Sequence, residues 1–211
     1  RAQPGQRRLR TMSQNAILAV GSMAFDSVQT PAGKAESVLG GSVNYFSVAA
    51  SFFAPIRIVG VVGEDFPRSH LQWLSEKRID VSGVQVVPGK TFRWSGEYML
   101  DMNVRETRSV ALNVFEHFNP VLPPQYKKPS LALLANIGPN LQNHVLDQMD
   151  RPKFVIADTM DLWLNVALPD LLRLLKRVDA LVLNDSEARQ LVEEDNVILA
   201  TRKIHRLGPK Y

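Results

Sequence analysis

Short apolar stretches alternate along the chain with segments of helical periodicity. The apolar stretches have the length of buried strands and lie at residues 16–21, 56–62, 131–137, 154–157 and 180–183. The helical segments lie at residues 43–54, 67–77, 141–149, 168–178, 186–193 and 197–207, and the first of them is apolar enough to predict a buried helix. Strands that alternate with helices are typical of a parallel sheet covered on both faces, so we expect an α/β fold.

The segment 91–115 interrupts this alternation. Large apolar residues alternate with polar or small ones over residues 92–100 and again over residues 110–114, around the polar stretch 101–108. Two such runs predict an antiparallel hairpin. A hairpin inserted into a parallel α/β chain is a candidate flap or lid over a ligand.

The composition is that of a soluble globular protein, with 45% hydrophobic and 22% charged residues and no cysteine. The lack of cysteine excludes a disulfide scaffold, a thiolate nucleophile and cysteine-ligated zinc. No apolar run reaches the roughly 18 residues that cross a bilayer, and no secretory signal is present. We therefore expect no membrane contact and a cytoplasmic location.

The net charge of +4 comes from the N-terminus. Residues 1–11 contain four arginines and no acidic residue, so the remaining 21 basic residues balance the 21 acidic ones. We interpret residues 1–11 as a disordered or artefactual tail, with Met12 as the expected start. A nucleic-acid partner is not expected, because it would require basic and aromatic residues on the folded part. If the tail alone bound nucleic acid, binding would be salt-dependent and lost on its deletion.

Several common catalytic signatures are absent. Gly89-Lys90-Thr91 lacks the earlier glycine of a phosphate-binding loop, because residue 84 is Val. No G-x-G-x-x-G follows the first strand and no G-x-S-x-G occurs, which argues against a dinucleotide-binding fold and a serine-hydrolase elbow. The four histidines are scattered, so a histidine metal site is not expected.

The first candidate site lies between the first strand and the first helix. Gly40 and Gly41 let the backbone approach a ligand at a helix N-terminus, and Asn44 offers a donor and an acceptor. Asp26 follows the first strand, where open α/β sheets bind ligands, and its carboxylate could accept from two hydroxyls. The alternative is structural: the glycine pair would form a tight turn before the helix, and Asp26 would be a solvated acid in a loop.

The second candidate site is Asn184-Asp185-Ser186-Glu187, directly after the strand at 180–183. Asn184 and Glu187 carry oxygen ligands suited to a hydrated magnesium ion and its phosphates. Capping of the next helix by Asp185 or Ser186, with Glu187 favoured by the helix dipole, is the alternative. That alternative does not explain why an asparagine ends an apolar strand.

In combination and in order, these residues resemble the ribokinase-like carbohydrate kinases, also called the phosphofructokinase-B family. The resemblance runs from Ile17 to the last residue. It rests on Gly21 with Asp26, on Gly40-Gly41-x-x-Asn44, on Val-Gly-Val-Val-Gly-Glu-Asp-Phe at 59–66, and on Asn184-x-x-Glu187. The glycine pair with the following strand and its Gly-Glu-Asp turn is the most specific part.

The resemblance implies a ribokinase-like three-layer α/β sandwich with a parallel-rich sheet and a small β lid. The lid would comprise residues 28–39 and 91–115 within a domain of residues 12–211. The implied reaction transfers the γ-phosphate of ATP, with Mg²⁺, to a hydroxyl of a small molecule. A sugar is the preferred acceptor, and a nucleoside is the alternative because lid aromatics could stack on a base. The resemblance also allows a homodimer through the lid.

The resemblance implies a role for each candidate residue. The substrate hydroxyls would be held by Asp26, Gly40, Gly41 and Asn44. Magnesium and phosphate would be organised by Asn184 and by Glu187, which would act on the metal through water. Asp158, at the end of its strand, matches an acid near the phosphate path. Phe92 and Trp94 would line the lid side of the pocket, although packing within the lid explains them equally well.

The chain departs from the family in one segment. The family's catalytic base is an Asp in a Gly-Ala-Gly-Asp segment near the C-terminus, and the 211 residues contain no such segment. We therefore expect the substrate-binding N-terminal portion of a kinase, truncated at the C-terminus and unable to turn over ATP by itself. A natural non-catalytic fragment that binds a sugar or dimerises is the alternative from another class.

Overall fold

A computed structural model describes residues 16–102 and 105–211, so the predicted tail at 1–11 and Met12 lie outside the described residues. The strands are β1 (Ile17–Val20), β2 (Ala24–Thr30), β3 (Gly33–Gly40), β4 (Ile56–Gly63), β5 (Ile79–Val87), β6 (Phe92–Tyr98), β7 (Arg105–Ala111), β8 (Leu131–Leu134), β9 (Phe154–Asp158) and β10 (Ala180–Val182). The helices are α1 (Ser42–Ser51), α2 (Arg68–Glu76), α3 (Pro139–Gln148), α4 (Asp161–Val166), α5 (Leu168–Leu175), α6 (Asp185–Val192) and α7 (Val197–His205). Short 3₁₀ helices occupy Asn113–His117 and Pro124–Tyr126.

The main sheet has the strand order β10-β9-β8-β1-β4-β5 within the described residues, and its strand pairs are parallel. Alternate residues of the strands enter two cores, one on each face. Val20 and Leu134 pack against residues of α3, α5, α6 and α7, whereas Ala19 and Leu133 pack with residues of α1 and α2. The predicted three-layer α/β sandwich is confirmed. Burial of both faces explains why the strands are short, continuous apolar runs.

The small sheet has the order β3-β2-β6-β7 within the same residues. β6 and β7 form the predicted antiparallel hairpin, and β2 pairs with β6 in parallel. The apolar alternation at 110–114 predicted a longer strand, but β7 ends at Ala111. The chain turns into the 3₁₀ helix because Asn113 donates through Nδ2 to the Thr91 carbonyl (2.9 Å) and Val114 N donates to the Lys90 carbonyl (3.1 Å).

The structure differs from the sequence predictions at three places in the fold. The helix predicted over 43–54 as buried is shorter, and the chain just after it is exposed, with Phe53 88% accessible, because α1 lies on the sheet with only one side. β5 was not predicted, because this edge strand is covered on one side and mixes polar residues and Gly83 with its valines. Asp26 is part of β2 rather than a loop residue. No helix in residues 16–102 and 105–211 is long and apolar enough to cross a bilayer.

Candidate active site

The carboxyl ends of the main-sheet strands carry the candidate residues. Asp158 ends β9, Asn184 follows β10, and the segment from Gly21 leads from β1 into the small sheet. Parallel strands place their carboxyl ends at one edge of a sheet, which is where open α/β sheets bind ligands. β8 separates β1 from β9, so the edge holds two groups of residues, one beside β1 and one beside β9 and β10.

In the first group, Asp26 lies against the glycine pair. A Cβ on Gly40 would overlap with the Asp26 carboxylate, so the carboxylate packs directly on the backbone there. Burial raises the pKa of Asp26 above its ordinary value, and a hydrogen bond donated by the backbone N–H of Gly41 offsets part of this rise. The carboxylate is therefore held by backbone contacts that only a small residue at position 40 allows.

Gly41 is the N-cap residue of α1 and has a backbone conformation that favours glycine, with φ at +93°. A Cβ at this position would overlap with the carbonyl oxygen of Ser22 in the segment after β1. The contact is reinforced by the N–H of Val43, which donates to the Ser22 carbonyl at 3.2 Å. The N-terminus of α1 is thus pressed against the carboxyl end of β1.

Asn44 lies one turn into α1 and is only 5% exposed. Its Nδ2 donates to the Gly40 carbonyl at 2.6 Å, whereas its Oδ1 has no hydrogen-bond partner among the described residues. A buried acceptor without a donor is costly in a folded protein. Asn44 and Asp26 both contact Gly40 and both offer acceptor oxygens, so this group is suited to binding hydroxyl groups.

The aromatic residues of β6 share a sheet face with Asp26. The register pairs Asp26 with Trp94 and Ala24 with Phe92, and alternation along the strands keeps these residues on one side. The ring of Trp94 lies over Gly96, where a Cβ would overlap with it. Phe92 stacks on Phe115 with ring centroids 5.3 Å apart. Trp94 therefore lies beside the acceptor oxygens of Asp26, while Phe92 packs against Phe115.

The small sheet also reaches the second group. Arg105 on β7 lies over the Trp94 ring, 5.7 Å from its centroid, and pairs with Asp161 at 3.9 Å. Asp161 begins α4, three residues after Asp158. The small sheet therefore spans the edge of the main sheet between the two groups.

In the second group, Asp158 and Glu187 are neighbouring carboxylates. Burial and the charge of Glu187 raise the pKa of Asp158 to about 6, against hydrogen bonds donated by the backbone N–H groups of Thr159 and Asn136. Glu187 is 6% exposed. Burial and the charge of Glu187 destabilise the ionised form of Asp158, and a cation beside Asp158 would relieve this.

Asn184 and Glu187 form a capping box at the start of α6. Oδ1 of Asn184 accepts from the N–H of Glu187, and Oε2 of Glu187 accepts from the N–H of Asn184, both at 2.9 Å. The alternative interpretation, capping of this helix, is confirmed, but the cap is neither Asp185 nor Ser186. Asn184 is the cap, which explains why an asparagine ends the apolar strand.

Gln142 is a site residue that the sequence did not predict. It is fully buried on α3, and its Nε2 shares its two hydrogens among the carbonyls of Leu134, Ala135 and Asp158, at 3.0, 3.1 and 2.9 Å. These contacts join the carboxyl ends of β8 and β9 and hold the backbone of Asp158. A glutamine within an amphipathic helix is unremarkable in sequence, so no local signal could have found it.

The second group fits a hydrated cation better than a directly ligated one. Within the described residues, no group of three or more acidic or histidine residues is placed to hold a metal ion. Mg²⁺ commonly keeps several waters and uses one or two carboxylates together with substrate phosphates. Asp158 and Glu187 supply two carboxylates of that kind.

Comparisons with known proteins agree with this architecture, although no protein-family profile matches the chain. The cytidine kinase of Thermococcus kodakarensis is 28% identical over 199 residues, which are 92% of this chain and 70% of that protein. The nucleoside kinase of Methanocaldococcus jannaschii, an archaeal member of the ribokinase family, matches with a TM-score of 0.67 and 16% identity over 86% of this chain. The Burkholderia thailandensis nucleoside kinase in complex with inosine matches with a TM-score of 0.68 and 17% identity over 85% of this chain.

The chain therefore has the ribokinase-like fold, and the resemblance to ribokinase-like kinases predicted from its sequence is confirmed. It spans 64% of the length of each of the two solved nucleoside kinases. The relatives that it matches include kinases of nucleosides and ribokinases.

Proposed function

We propose that this chain is the acceptor-binding part of a kinase that transfers the γ-phosphate of ATP to a hydroxyl of a sugar or of the sugar portion of a nucleoside. The observation that carries the proposal is the buried, unpartnered Oδ1 of Asn44 beside the backbone-held carboxylate of Asp26. Hydroxyl donors of an acceptor would satisfy both. Gly40 and Gly41 would let the acceptor approach the backbone.

In this proposal the two groups at the sheet edge have different tasks. Asp26 and Asn44 orient the acceptor, so that one hydroxyl oxygen forms a bond to the γ-phosphorus as the bond to ADP breaks. Asp158, Asn184 and Glu187 lie where phosphates and a hydrated Mg²⁺ would be organised, Glu187 through water. Magnesium, when bound, would neutralise charge on the phosphates. The hydroxyl proton needs a base, and the Gly-Ala-Gly-Asp segment that would supply it does not occur in these 211 residues.

A nucleoside is the second candidate acceptor, and Trp94 favours it. The indole lies on the same sheet face as Asp26 and over Gly96, and the Arg105 guanidinium lies 5.7 Å from its ring centre. A planar base that took the place of Arg105 could stack on the indole. A free sugar would gain less from this ring. The cytidine and nucleoside kinases among the relatives support the same choice.

Calorimetric titration of the chain with cytidine, inosine, ribose and fructose tests the proposal. We expect Asn44→Leu to weaken binding of the best acceptor about tenfold, because a lost hydrogen bond of about 1.4 kcal/mol corresponds to that factor. Asn165→Leu, at an exposed asparagine on α4, is the control and should bind like the unchanged chain. If the best acceptor bound Asn44→Leu as tightly as the unchanged chain, the proposal would be contradicted.

We also propose that the chain alone does not turn over ATP, since the family's base is not among its residues. An assay of acceptor-dependent ADP release from the purified 211-residue chain tests this, and measurable release would refute it. A non-catalytic protein that only binds sugar would behave alike in that assay. Binding of ATP distinguishes a kinase portion from a non-catalytic sugar-binding protein, because only the kinase portion has a role for ATP.

We also propose a homodimer through the small sheet and a cytoplasmic location. β7 is exposed along its whole length and lies at the end of the small sheet within the described residues, which supports pairing between copies. Sedimentation of the chain and of Val110→Lys, which adds a charge to this strand, tests the dimer. Sedimentation of the unchanged chain as a monomer would contradict it.

A further inference from the structure

We propose that Asp65 is a positioning residue that fixes Asp26 relative to the main sheet, acting through Thr91, Arg93 and the ring of Phe25. The inference rests on the proposed function, because it gives Asp26 the task of holding the acceptor. Asp65 itself would not touch the acceptor. It lies in the Gly-Glu-Asp turn after β4, a turn to which the acceptor-binding proposal assigns no task.

Asp65 joins this turn to the start of β6. Its Oδ1 accepts from the backbone N–H of Thr91 at 2.7 Å and from the Thr91 hydroxyl at 2.6 Å. Thr91 is fully buried, and its Oγ1 in turn accepts from the N–H of Gly63 at 3.0 Å. The residue that precedes β6 is therefore bonded both to the last residue of β4 and to the turn after it.

The second carboxylate oxygen extends the link into the small sheet. Oδ2 of Asp65 accepts from Arg93 at 2.9 Å, and the guanidinium group of Arg93 lies 4.7 Å from the centre of the Phe25 ring. The other terminal nitrogen of Arg93 donates to the Ser37 hydroxyl at 3.3 Å. Arg93 thus touches β2, β3 and the turn after β4, and Phe25 immediately precedes Asp26.

The charges of this link favour its formation. Burial raises the pKa of Asp65, but hydrogen bonds from Thr91 and Arg93 and the charge of Arg93 outweigh it, so the pKa lies below its ordinary value. Asp65 and Arg93 are partly shielded from water, with side-chain exposures of 28% and 39%. Loss of the Asp65 charge would leave the Arg93 guanidinium without its carboxylate partner and free it to leave the Phe25 ring.

The consequence for binding is geometric. The chain crosses from the main sheet to the small sheet after β1 and again before β6, and Asp65 provides a side-chain link at the second crossing. Asp26 stays bonded to the N–H of Gly41, so without the Asp65 link the small sheet can tilt about that contact and change the angle at which the Asp26 carboxylate faces Asn44. Hydrogen bonds weaken steeply as their angles depart from linearity, so a small displacement of the Asp26 carboxylate would weaken its bond to an acceptor hydroxyl.

The experiment measures orientation and binding in the same variants. The chain has no cysteine, so Ala32→Cys in the turn between β2 and β3 and Arg202→Cys on α7 give two specific spin-label sites, both exposed. We expect Asp65→Asn to broaden the distance distribution between the labels and to weaken acceptor binding about tenfold, the factor that corresponds to one lost hydrogen bond. Glu64→Gln, at the exposed neighbouring carboxylate, should change neither.

Each outcome decides the proposal. An unchanged label distance in Asp65→Asn, or a broadened distance with unchanged acceptor affinity, overturns it. In the Asp26→Asn background, Asp65→Asn should weaken binding little further, because its effect runs through Asp26. Arg93→Lys keeps the charge but not the planar group and should reproduce the broadening if Asp65→Asn does not fold. If the unchanged chain binds no acceptor, the proposed function fails, and the label distances alone decide the link.

Discussion

Asn184 and Glu187 each use a side-chain oxygen to accept from the other's backbone N–H, at 2.9 Å in both directions. The box begins α6 and places the buried carboxylate of Glu187 beside Asp158. Asp26 is held in a similar way, since it accepts from the N–H of Gly41. In both candidate groups, backbone N–H donors at the start of a helix therefore fix a carboxylate.

Replacement of Asn184 separates its structural role from its proposed role at the phosphates. Asn184→Ala should lower the free energy of unfolding by about 1 kcal/mol, whereas Asn184→Asp should keep the cap. Both should weaken ATP binding, the second because it adds a negative charge. Urea unfolding and calorimetry measure the two effects.

Asn196 provides a matched control because it caps α7, with Oδ1 accepting from Ile198 and Leu199. Asn196→Ala should cost a similar stability and leave ATP binding unchanged. If both alanine variants bound ATP equally well, capping would be the whole role of Asn184.

The stability of the chain should depend on the ionisation of Asp158. Its pKa rises from 3.8 to about 6 on folding, so the folded state binds this proton more tightly than the unfolded state. The resulting stabilisation is present at low pH and is lost as the pH rises through 6. Asp158→Asn should therefore be more stable than the unchanged chain by about 2 kcal/mol at pH 7.5, and by little at pH 4.

Urea unfolding at several pH values measures this difference. Asp195→Asn, at an exposed carboxylate between α6 and α7, is the control and should follow the unchanged chain throughout. A constant difference between Asp158→Asn and the unchanged chain from pH 4 to 7.5 would contradict the predicted titration.

Substitution of Gly41 should be strongly destabilising. Gly41→Ala places an alanine at a φ of +93° and its Cβ against the Ser22 carbonyl oxygen. We therefore expect the free energy of unfolding to fall by about 2 kcal/mol or more. Gly33→Ala has a positive φ of +154° but open space around its Cβ, so it carries only the backbone cost. Thermal unfolding of both variants measures the contribution of the contact. Equal losses would show that the approach of α1 to β1 is not tight.

Gln142 should be needed for stability although it carries no charge. In Gln142→Leu, the carbonyls of Leu134, Ala135 and Asp158 lose their side-chain donor, and we expect a loss of about 2 kcal/mol. Gln190→Leu, at an exposed glutamine on α6, should change stability by less than about 0.5 kcal/mol. Urea unfolding compares the two, and equal values would contradict the role of Gln142 in joining β8 to β9.

The α/β class and most of the main sheet could be predicted because they depend on local patterns. Each central strand is buried on both faces, so most of its residues are apolar, as at Ala19 on one face and Val20 on the other. The hairpin of β6 and β7 could be predicted because its residues alternate. β5 was missed because an edge strand with mixed residues has no such pattern.

For the candidate site, the sequence alone predicted the residue types and their order, because Asn44 lies one helical turn after the glycine pair and Glu187 lies one turn after Asn184. Only the tertiary structure placed Asp26 on β2 against Gly40, brought Asp158 beside Glu187, and bonded Gln142 to two strand ends. These contacts join residues that are distant along the chain. They depend on sheet order and helix packing, which no local pattern encodes.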